Sequence, residues 1–112
     1  MMTMSDRWVF QNEATTTADG EALFSGRWDQ VTIYITGTAT SSTVVFEGSD
    51  KDGNWYSLPA FKMPDYTLAS QTTELDEAWV IDLSKWYSVR ARIDSISGGY
   101  ITIVGKVVNS NG

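Results

Sequence analysis

Apolar and polar residues alternate along most of the chain with a period of two. The segment VTIYITG (31–37) shows the pattern most clearly, and the pattern returns in residues 79–83, 87–93 and 100–108. Such alternation is typical of strands that bury one face and expose the other, whereas an amphipathic helix repeats about every 3.6 residues. No long stretch shows the helical repeat. The pattern therefore predicts an all-β protein.

Clusters of Gly, Asp, Asn and Ser separate these segments roughly every ten residues, as turns do. Further strands are predicted at 8–13, 22–24, 43–49 and 54–58, and residues 60–73 form the least regular stretch. About seven or eight short strands at this spacing are typical of a single antiparallel β-sandwich or jelly roll.

The length of 112 residues fits one domain with one core. We expect the domain to span residues 1–112, with an N-terminal arm at 1–11 and a short C-terminal tail at 109–112. The arm is apolar and rich in methionine, and such an arm stays ordered only when it is held on its own sheet or on a neighbouring molecule. Trp8 and Phe10 in this arm are therefore predicted partner contacts.

The last two strands are predicted to form a hairpin. A five-residue loop at 95–99 pairs Asp94 with Tyr100, so that Ile93 faces Ile101 and the apolar residues of both strands share one face. A slip of one residue would mix apolar and polar side chains on each face, which a half-buried sheet does not tolerate.

Arg90 and Arg92 share the outer face of this predicted hairpin, opposite Val104 and Thr102 and near Lys106. The resulting small basic stripe has two interpretations. It is either a solvated strand face or a docking surface for an acidic partner, because arginine is favoured in interface ion pairs. Both arginines are candidate partner contacts.

Residues 44–59, VVFEGSDKDGNWYSLP, predict another hairpin. A loop at 50–53 would place Gly48 opposite Trp55, where the absence of a side chain leaves room for the indole to lie across the backbone.

The loop of this hairpin has two interpretations. Short Asp and Asn side chains that bond nearby amides, followed by a glycine suited to positive φ, are typical of a tight turn. Asp50, Asp52 and Asn54 also stand at alternate positions, like the first calcium ligands of an EF-hand. However, Gly53 stands at the fourth position instead of the sixth, and Phe61 stands at the twelfth instead of a glutamate. We expect a structural turn and no metal.

The chain contains neither cysteine nor histidine. The commonest general base and the commonest metal ligand are therefore missing, and acid–base catalysis would fall to carboxylates, Lys and Tyr. Glu74, Asp76 and Glu77 could suggest the paired carboxylates of a glycoside hydrolase, but no acid in a comparable context accompanies them, which favours a loop charge cluster. We expect a protein that is not an enzyme and needs no cofactor.

Charge and hydropathy argue against two classes of partner. With 8 basic and 14 acidic residues the formal charge is −6, which opposes nucleic acid because nonspecific binding rests on phosphate neutralisation. No apolar run approaches the roughly 20 residues of a membrane helix, and the start MMTMSDRW lacks the apolar core of a secretory signal. We expect synthesis in the cytoplasm without a signal peptide, and no nucleic-acid or membrane partner.

Two segments resemble small β-sandwich virion proteins and modules of tailed bacteriophages, of the capsid decoration or fibre type. FEGSDKDGNW (46–55) matches a hairpin with F-E-G-S, then D-G and W. WVIDLSKWYSVRARIDSISGGYITIVGKVV (79–108) contains a strand of the VRVRV kind and a Ser-Gly turn, and the resemblance covers residues 31–108. More distantly the pattern is similar to discoidin-like jelly rolls, although the Asp-Gly pair is one residue nearer the Trp and the terminal signature is missing.

The resemblance to phage proteins implies a structural, non-catalytic role in a phage virion. The leading hypothesis is a capsid decoration (cement) protein that binds the major capsid protein, or another virion protein, and stabilises the assembled shell. A homo-oligomer, specifically a trimer, is expected by analogy with many decoration proteins. The alternative is a carbohydrate-binding module of a tail fibre or baseplate protein.

The five tryptophans bear on that alternative, because exposed indoles can stack on the apolar faces of sugars. Trp55 and Trp79 lie on the same predicted strand faces as neighbouring aliphatic residues, and large aromatic side chains fill small sandwiches well. Both are therefore predicted to be core residues. Trp28 begins a strand and Trp86 lies in a bend, so their side chains are not assigned to the core. Together with Tyr66 they are the candidate glycan-stacking residues.

Overall fold

The structure, a computed structural model, describes residues 7–109 of the chain. These residues form eleven strands and no helix, and hence no helix long and apolar enough to span a membrane. The strands are β1 (Arg7–Ala14), β2 (Leu23–Phe24), β3 (Gln30–Gly37), β4 (Ser41–Ser49), β5 (Trp55–Ser57), β6 (Ala60–Lys62), β7 (Thr67–Ala69), β8 (Gln71–Thr72), β9 (Glu77–Asp82), β10 (Ser88–Ser97) and β11 (Ile101–Val108). The all-β prediction is confirmed, with more strands than expected because 60–73 contains three short ones.

The strands form two sheets with antiparallel pairing throughout. The six-stranded sheet has the order β1-β11-β3-β9-β6-β7, and the five-stranded sheet has the order β2-β10-β4-β5, with β8 also paired to β4. The predicted sandwich architecture is confirmed. Residues 7–11 of the expected arm belong to β1, which pairs with β11. Residues 1–6 of that arm and residues 110–112 of the expected tail lie outside the described residues.

The core lies between the sheets and is filled from the faces that alternation assigned to it. Val31, Ile33 and Ile35 of β3 are completely buried, and Trp79 and Ile81 of β9 are buried opposite the other sheet's apolar face. Each fully buried side chain of this size contributes about 1.5–3 kcal/mol of hydrophobic stabilisation. The remaining core residues are Phe10, Leu23, Val44, Phe46, Leu58, Ala60, Leu83, Val89, Ala91, Ile93, Ile101, Ile103 and Val107.

The predicted hairpin between the last two strands is wrong. β10 pairs with β4, with Ala91 opposite Phe46. β11 belongs to the other sheet, where Ile103 lies opposite Ile35 of β3. Two strands that each bury their odd-numbered apolar residues satisfy the same alternation whether they lie side by side or face each other across the core. The sequence pattern therefore could not distinguish the two arrangements.

The connection that crosses between the sheets is built from two glycines. Gly98 and Gly99 have φ of 75° and 146°, values that favour glycine over residues with a side chain. The β3–β4 loop holds the crossing in place: the hydroxyl of Thr40 donates to the carbonyl of Ser97 at 3.2 Å, and the amide of Tyr100 donates to the hydroxyl of Thr38 at 3.3 Å.

The predicted register of the β4–β5 hairpin is also wrong, by one residue. Gly48 lies opposite Tyr56, and Ser49 lies opposite Trp55. The shift moves Trp55 to the outer face of the five-stranded sheet, where it is half-buried instead of in the core. The guanidinium of Arg90 lies 4.0 Å from the centre of its indole. The space above Gly48 is filled by a different indole, that of Trp86.

Candidate docking face

The acidic loop after β4 is a turn closed by one carboxylate. Asp50 accepts hydrogen bonds from the amides of Asp52 and Asn54 at 2.9 and 3.0 Å, from the Asn54 side chain at 3.0 Å and from the Tyr56 hydroxyl at 3.2 Å. These bonds, led by that from the Asn54 amide, lower the pKa of Asp50 below its ordinary value. Among residues 7–109 there is no group of three acidic side chains placed to hold a metal ion.

The outer face of the five-stranded sheet carries an internally paired charge cluster. Glu47 of β4 accepts from the Nε of Arg90 at 2.8 Å and from the Nε of Arg92 at 3.1 Å. Asp19 lies 3.6 Å from Arg90, and Asp94 lies 2.8 Å from Arg92. The two arginines that were predicted partner contacts are thus matched by three carboxylates of their own chain.

Because of this pairing, the predicted basic stripe is not a surface of unpaired positive charge. Burial would raise the pKa of Glu47, but the hydrogen bonds and charges of Arg92 and Arg90 outweigh it and lower that pKa. Lys106, the third expected member of the stripe, lies on β11 in the other sheet. Arg90 and Arg92 therefore join β4 to β10, and Arg90 also covers Trp55. The two arginines present no excess positive charge.

Phe10 and Trp8, the other two predicted contacts, take different positions. Phe10 is 1% exposed, and its ring lies against Gly105 inside the core, away from any partner. Trp8 is half-buried, and its Nε1 donates to the carbonyl of Glu21 at 3.1 Å.

The three candidate glycan-stacking residues have separate surroundings. The guanidinium of Arg27 lies 5.5 Å from the ring centre of Trp28, and Trp86 packs on Gly48. Tyr66, which has a positive φ of 60°, places its ring 6.3 Å from that of Phe61 on the six-stranded sheet. The geometry does not assemble them into a single aromatic platform.

Trp28 does line an aromatic cleft, where β1 of one sheet meets β2 of the other. The cleft has a volume of about 310 Å³, and its walls include Trp8, Phe24 and Trp28 over a floor of Leu23 and Val107. Sequence reasoning missed this grouping because Trp8 and Phe24 come from strands of different sheets.

Glu77, from the acidic cluster 74–77, is a structural anchor. Its side chain is 8% exposed and forms an ion pair with Lys62 at 3.0 Å. It also accepts from the hydroxyl of Thr72 at 2.7 Å and from Nε1 of Trp79 at 3.0 Å. Burial would raise the pKa of Glu77, but the hydrogen bonds from Thr72, Lys62 and Trp79 lower it overall. This carboxylate therefore ties β6 and β8 to β9.

The outer face of the six-stranded sheet differs from that of the five-stranded sheet because apolar side chains lie next to one another across its middle strands. Two cross-strand rows occupy the middle of this face. The first runs through Arg7, Lys106, Thr32, Val80, Phe61 and Leu68, each opposite the next on the neighbouring strand. The second runs through Val9, Val104, Tyr34 and Ala78 in the same way.

We refer to the apolar members of these rows as the apolar band: Val9, Tyr34, Phe61, Leu68, Ala78, Val80 and Val104. Tyr34, Phe61 and Leu68 are exposed, and the exposed ring of Tyr66 lies beside Phe61. A shallow depression of about 350 Å³ opens between Phe61, Tyr66 and Val80. The alternation in the sequence shows that these side chains point away from the core. Their alignment into rows follows only from the strand order.

A family model described as XepA matches residues 5–107 of the chain. The chain is 28% identical over 111 residues to the SPbeta prophage-derived uncharacterized protein YomS of Bacillus subtilis (strain 168), and the match spans 97% of this chain and 93% of YomS. It is 30% identical over 102 residues to the phage-like element PBSX protein XepA of the same strain, spanning 91% of this chain and 37% of that protein.

Solved structures agree with this relationship. The crystal structure of the SPBc2 prophage-derived protein YomS has a TM-score of 0.85 at 28% identity and covers 96% of both chains. The crystal structure of the PBSX exported protein XepA has a TM-score of 0.86 at 28% identity, spanning 95% of this chain and 39% of that one. The phage relationship that the motifs indicated is confirmed at this level.

Proposed function

Because the chain belongs to the XepA family, and its relatives include a prophage-derived protein and a protein of a phage-like element, we propose that it is a structural protein of a phage particle that acts by binding protein, without catalysis. Its specific role in this proposal is capsid decoration: it binds the major capsid protein in the assembled shell through the apolar band. A homo-oligomer, such as the expected trimer, would present several bands to the lattice at once.

The contrast between the two outer faces carries this proposal. The charged side chains on the five-stranded sheet pair with one another, so that face already satisfies its charges. The face with the apolar band exposes large apolar side chains. In its first cross-strand row, no charged residue lies between Lys106 and Leu68. Contiguous exposed apolar surface of this kind marks protein contact sites.

The dimensions of the face suit such a contact. The six strands contain 36 residues in all, and each residue covers about 16 Å² of the sheet at a rise of about 3.3 Å and a strand spacing of about 4.8 Å. The projected area, roughly 600 Å², is comparable with the about 800 Å² that each partner contributes to an interface of standard size.

A decoration protein of this kind stabilises the shell by mass action. A ligand that binds the assembled shell but not its dissociated subunits stabilises each site by about 2.7 kcal/mol when its free concentration is 100 times the Kd. No active site is required, and the chain's residues need only hold a rigid face in the correct shape.

Co-sedimentation with emptied capsids of the source phage tests the proposal. We expect saturable binding of the wild-type protein and a higher disruption temperature of the decorated shells. Tyr34→Glu should abolish binding because Tyr34 lies in the middle of the apolar band. Tyr87→Glu is a matched control, since the two tyrosines are 46% and 48% exposed but Tyr87 packs on Phe24, away from the band.

Failure of the folded wild-type protein to bind capsids would refute the decoration role, and equal effects of the two substitutions would refute the assignment of the face. Mass spectrometry of purified particles tests the virion location separately. That measurement is needed because the related PBSX protein XepA is described as exported.

The aromatic cleft supports a second candidate function, a carbohydrate-binding module of a tail fibre or baseplate. Trp8, Phe24 and Trp28 provide apolar ring faces around a space large enough for one sugar ring. A glycan array checks this function, and Trp28→Ala should remove any signal that arises from the cleft.

A further inference from the structure

Two aromatic rings and a carboxylate meet in the shallow depression at one end of the apolar band. The rings of Phe61 and Tyr66 lie 6.3 Å apart, with their planes inclined at 67°. Together with Val80, Gln30 and Asp82 they line a space of about 350 Å³. Asp82 of β9 lies directly opposite Gln30 of β3, and both side chains are exposed. The depression therefore combines aromatic and apolar surface with one acidic group.

The Asp82 carboxylate is held in place and kept ionised by its neighbours. Its Oδ1 accepts hydrogen bonds from the amide and the hydroxyl of Ser84 at 2.9 and 2.8 Å. These bonds, led by that from the amide, lower the pKa of Asp82, and the positive charge of Lys85 adds to the effect while burial opposes it. None of the ion pairs among residues 7–109 includes Asp82. Asp82 thus places a fixed negative charge at the edge of the depression.

The outer face of the five-stranded sheet shows which group completes such an arrangement. There the guanidinium of Arg90 lies 4.0 Å from the ring centre of Trp55, and its Nε donates to Glu47 at 2.8 Å. An arginine therefore contacts an aromatic ring and a carboxylate at once. In the part of the chain that the structure describes, no cation lies over the ring of Phe61 or Tyr66. The six-stranded sheet thus presents the rings and the carboxylate without the arginine.

We infer that the depression receives an arginine side chain of the capsid protein, whose guanidinium lies against Phe61 and Tyr66 and pairs with Asp82. This inference rests on the proposed function and names the group that the docking face recognises. Arginine fits better than lysine because its planar guanidinium stacks on rings and pairs with a carboxylate through two parallel hydrogen bonds. Its apolar stem would cover Val80. The formal charge of −6 also favours a basic partner.

Capsid binding by two variants of the depression tests the inference. Asp82→Asn should weaken binding at least fivefold because it removes the charge, while the amide oxygen can still accept from Ser84 and preserve the bend. Tyr66→Asn should weaken binding to a similar degree, since it removes a ring at a position with φ of 60°, which Asn tolerates. Asp52→Asn is the matched control. Asp52 is exposed in the turn after β4, outside the six-stranded sheet, and its replacement should change binding less than twofold.

Chemical modification of the capsids identifies the occupant directly. Phenylglyoxal reacts with accessible guanidinium groups and acetic anhydride with accessible amines, and mass spectrometry locates the modified residues. We expect the bound wild-type protein to slow the reaction of one capsid-protein arginine with phenylglyoxal at least fivefold. Asp82→Asn, added at a concentration that saturates the capsids, should restore most of that reactivity.

Three footprinting results would overturn the inference: protection of a capsid-protein lysine in place of an arginine, protection only of an arginine of this chain, or protection of no basic residue. A glycan-array signal that Asp82→Asn and Tyr66→Asn both remove would mean that the depression binds a sugar instead.

The same experiments separate this inference from the proposed function. If Asp82→Asn and Tyr66→Asn bind capsids like the wild type while Tyr34→Glu does not bind, the arginine contact is wrong and the docking face stands. If the folded wild-type protein does not bind at all, both proposals fail.

Discussion

The indole of Trp86 lies so close to the backbone of Gly48 that a side-chain carbon at residue 48 would overlap the ring. The carbonyl of Trp86 accepts a hydrogen bond from the hydroxyl of Ser25 at 2.6 Å, which fixes the bend that carries the indole. The ring of Tyr56, opposite Gly48 on β5, lies 6.4 Å from that of Trp86. Gly48 therefore provides the space for a tryptophan that packs against the core.

Replacing Gly48 with alanine should destabilise the protein by about 1–3 kcal/mol, the usual cost of forcing extra volume into a packed site. Urea denaturation measures the free energy of unfolding. The cause can be isolated with a double-mutant cycle, since the cost of Gly48→Ala should fall by about 1 kcal/mol or more when Trp86 is also replaced by alanine. An equal cost in both backgrounds would contradict the steric explanation.

Glu47→Gln should lower the free energy of unfolding by about 1–3 kcal/mol, because it removes the charged acceptor shared by Arg90 and Arg92 in a largely buried position. Asp94→Asn is the matched comparison: its carboxylate is 54% exposed, and it pairs with Arg92 only. That change should cost less than about 1 kcal/mol. Similar losses of unfolding free energy in the two variants would contradict this prediction, because they would show that the sharing of Glu47 by two arginines adds no stability.

The Glu77 anchor should make stability sensitive to acid. Its pKa in the folded protein lies below the ordinary value of 4.5, so its ionisation stabilises the fold fully above that pH. This stabilisation is lost as the pH falls through the lowered pKa. We therefore expect wild type to exceed Glu77→Gln in free energy of unfolding at pH 7, with the difference shrinking below pH 4.5.

Urea denaturation between neutral pH and about pH 3 follows this difference, a range that covers the titration of carboxylates. The same chemical change at the exposed residue Glu13 controls for the general effect of removing one negative charge. A difference between wild type and Glu77→Gln that stays constant on acidification would contradict the assigned role.

Engineered disulfides should distinguish the observed strand order from the simple hairpin. Thr36 and Thr102 are directly opposite on β3 and β11, a spacing that suits a disulfide. The double variant Thr36→Cys/Thr102→Cys should therefore oxidise readily. Arg92→Cys/Thr102→Cys, the pair that a β10–β11 hairpin would align, should keep free thiols because its residues lie in different sheets.

The chain has no natural cysteine, so a thiol assay reports only the introduced pair. Rapid disulfide formation by the second variant in the folded monomer would mean that β10 and β11 are neighbours after all.

The alternation of apolar residues determined the strand class and the inward faces of this protein. Val31, Ile33 and Ile35 could be assigned to the core by their positions in the chain, because side chains on a strand point to opposite sides in turn and burial requires one side to be apolar. The carboxylate-closed turn at Asp50 was also predictable, since its partners lie within six residues along the chain. These features depend on local geometry.

Tertiary structure decided which strands are neighbours. Ile93 and Ile101 are both buried, and alternation allows them to be side by side in one sheet or to face each other across the core. The choice depends on how all eleven strands fill the space between the sheets, including a crossing turn packed on a distant loop. The pairing of Glu47 with Arg90 and the rows of the apolar band depend on this choice. They join residues far apart in the chain, where local pattern carries no information about distance.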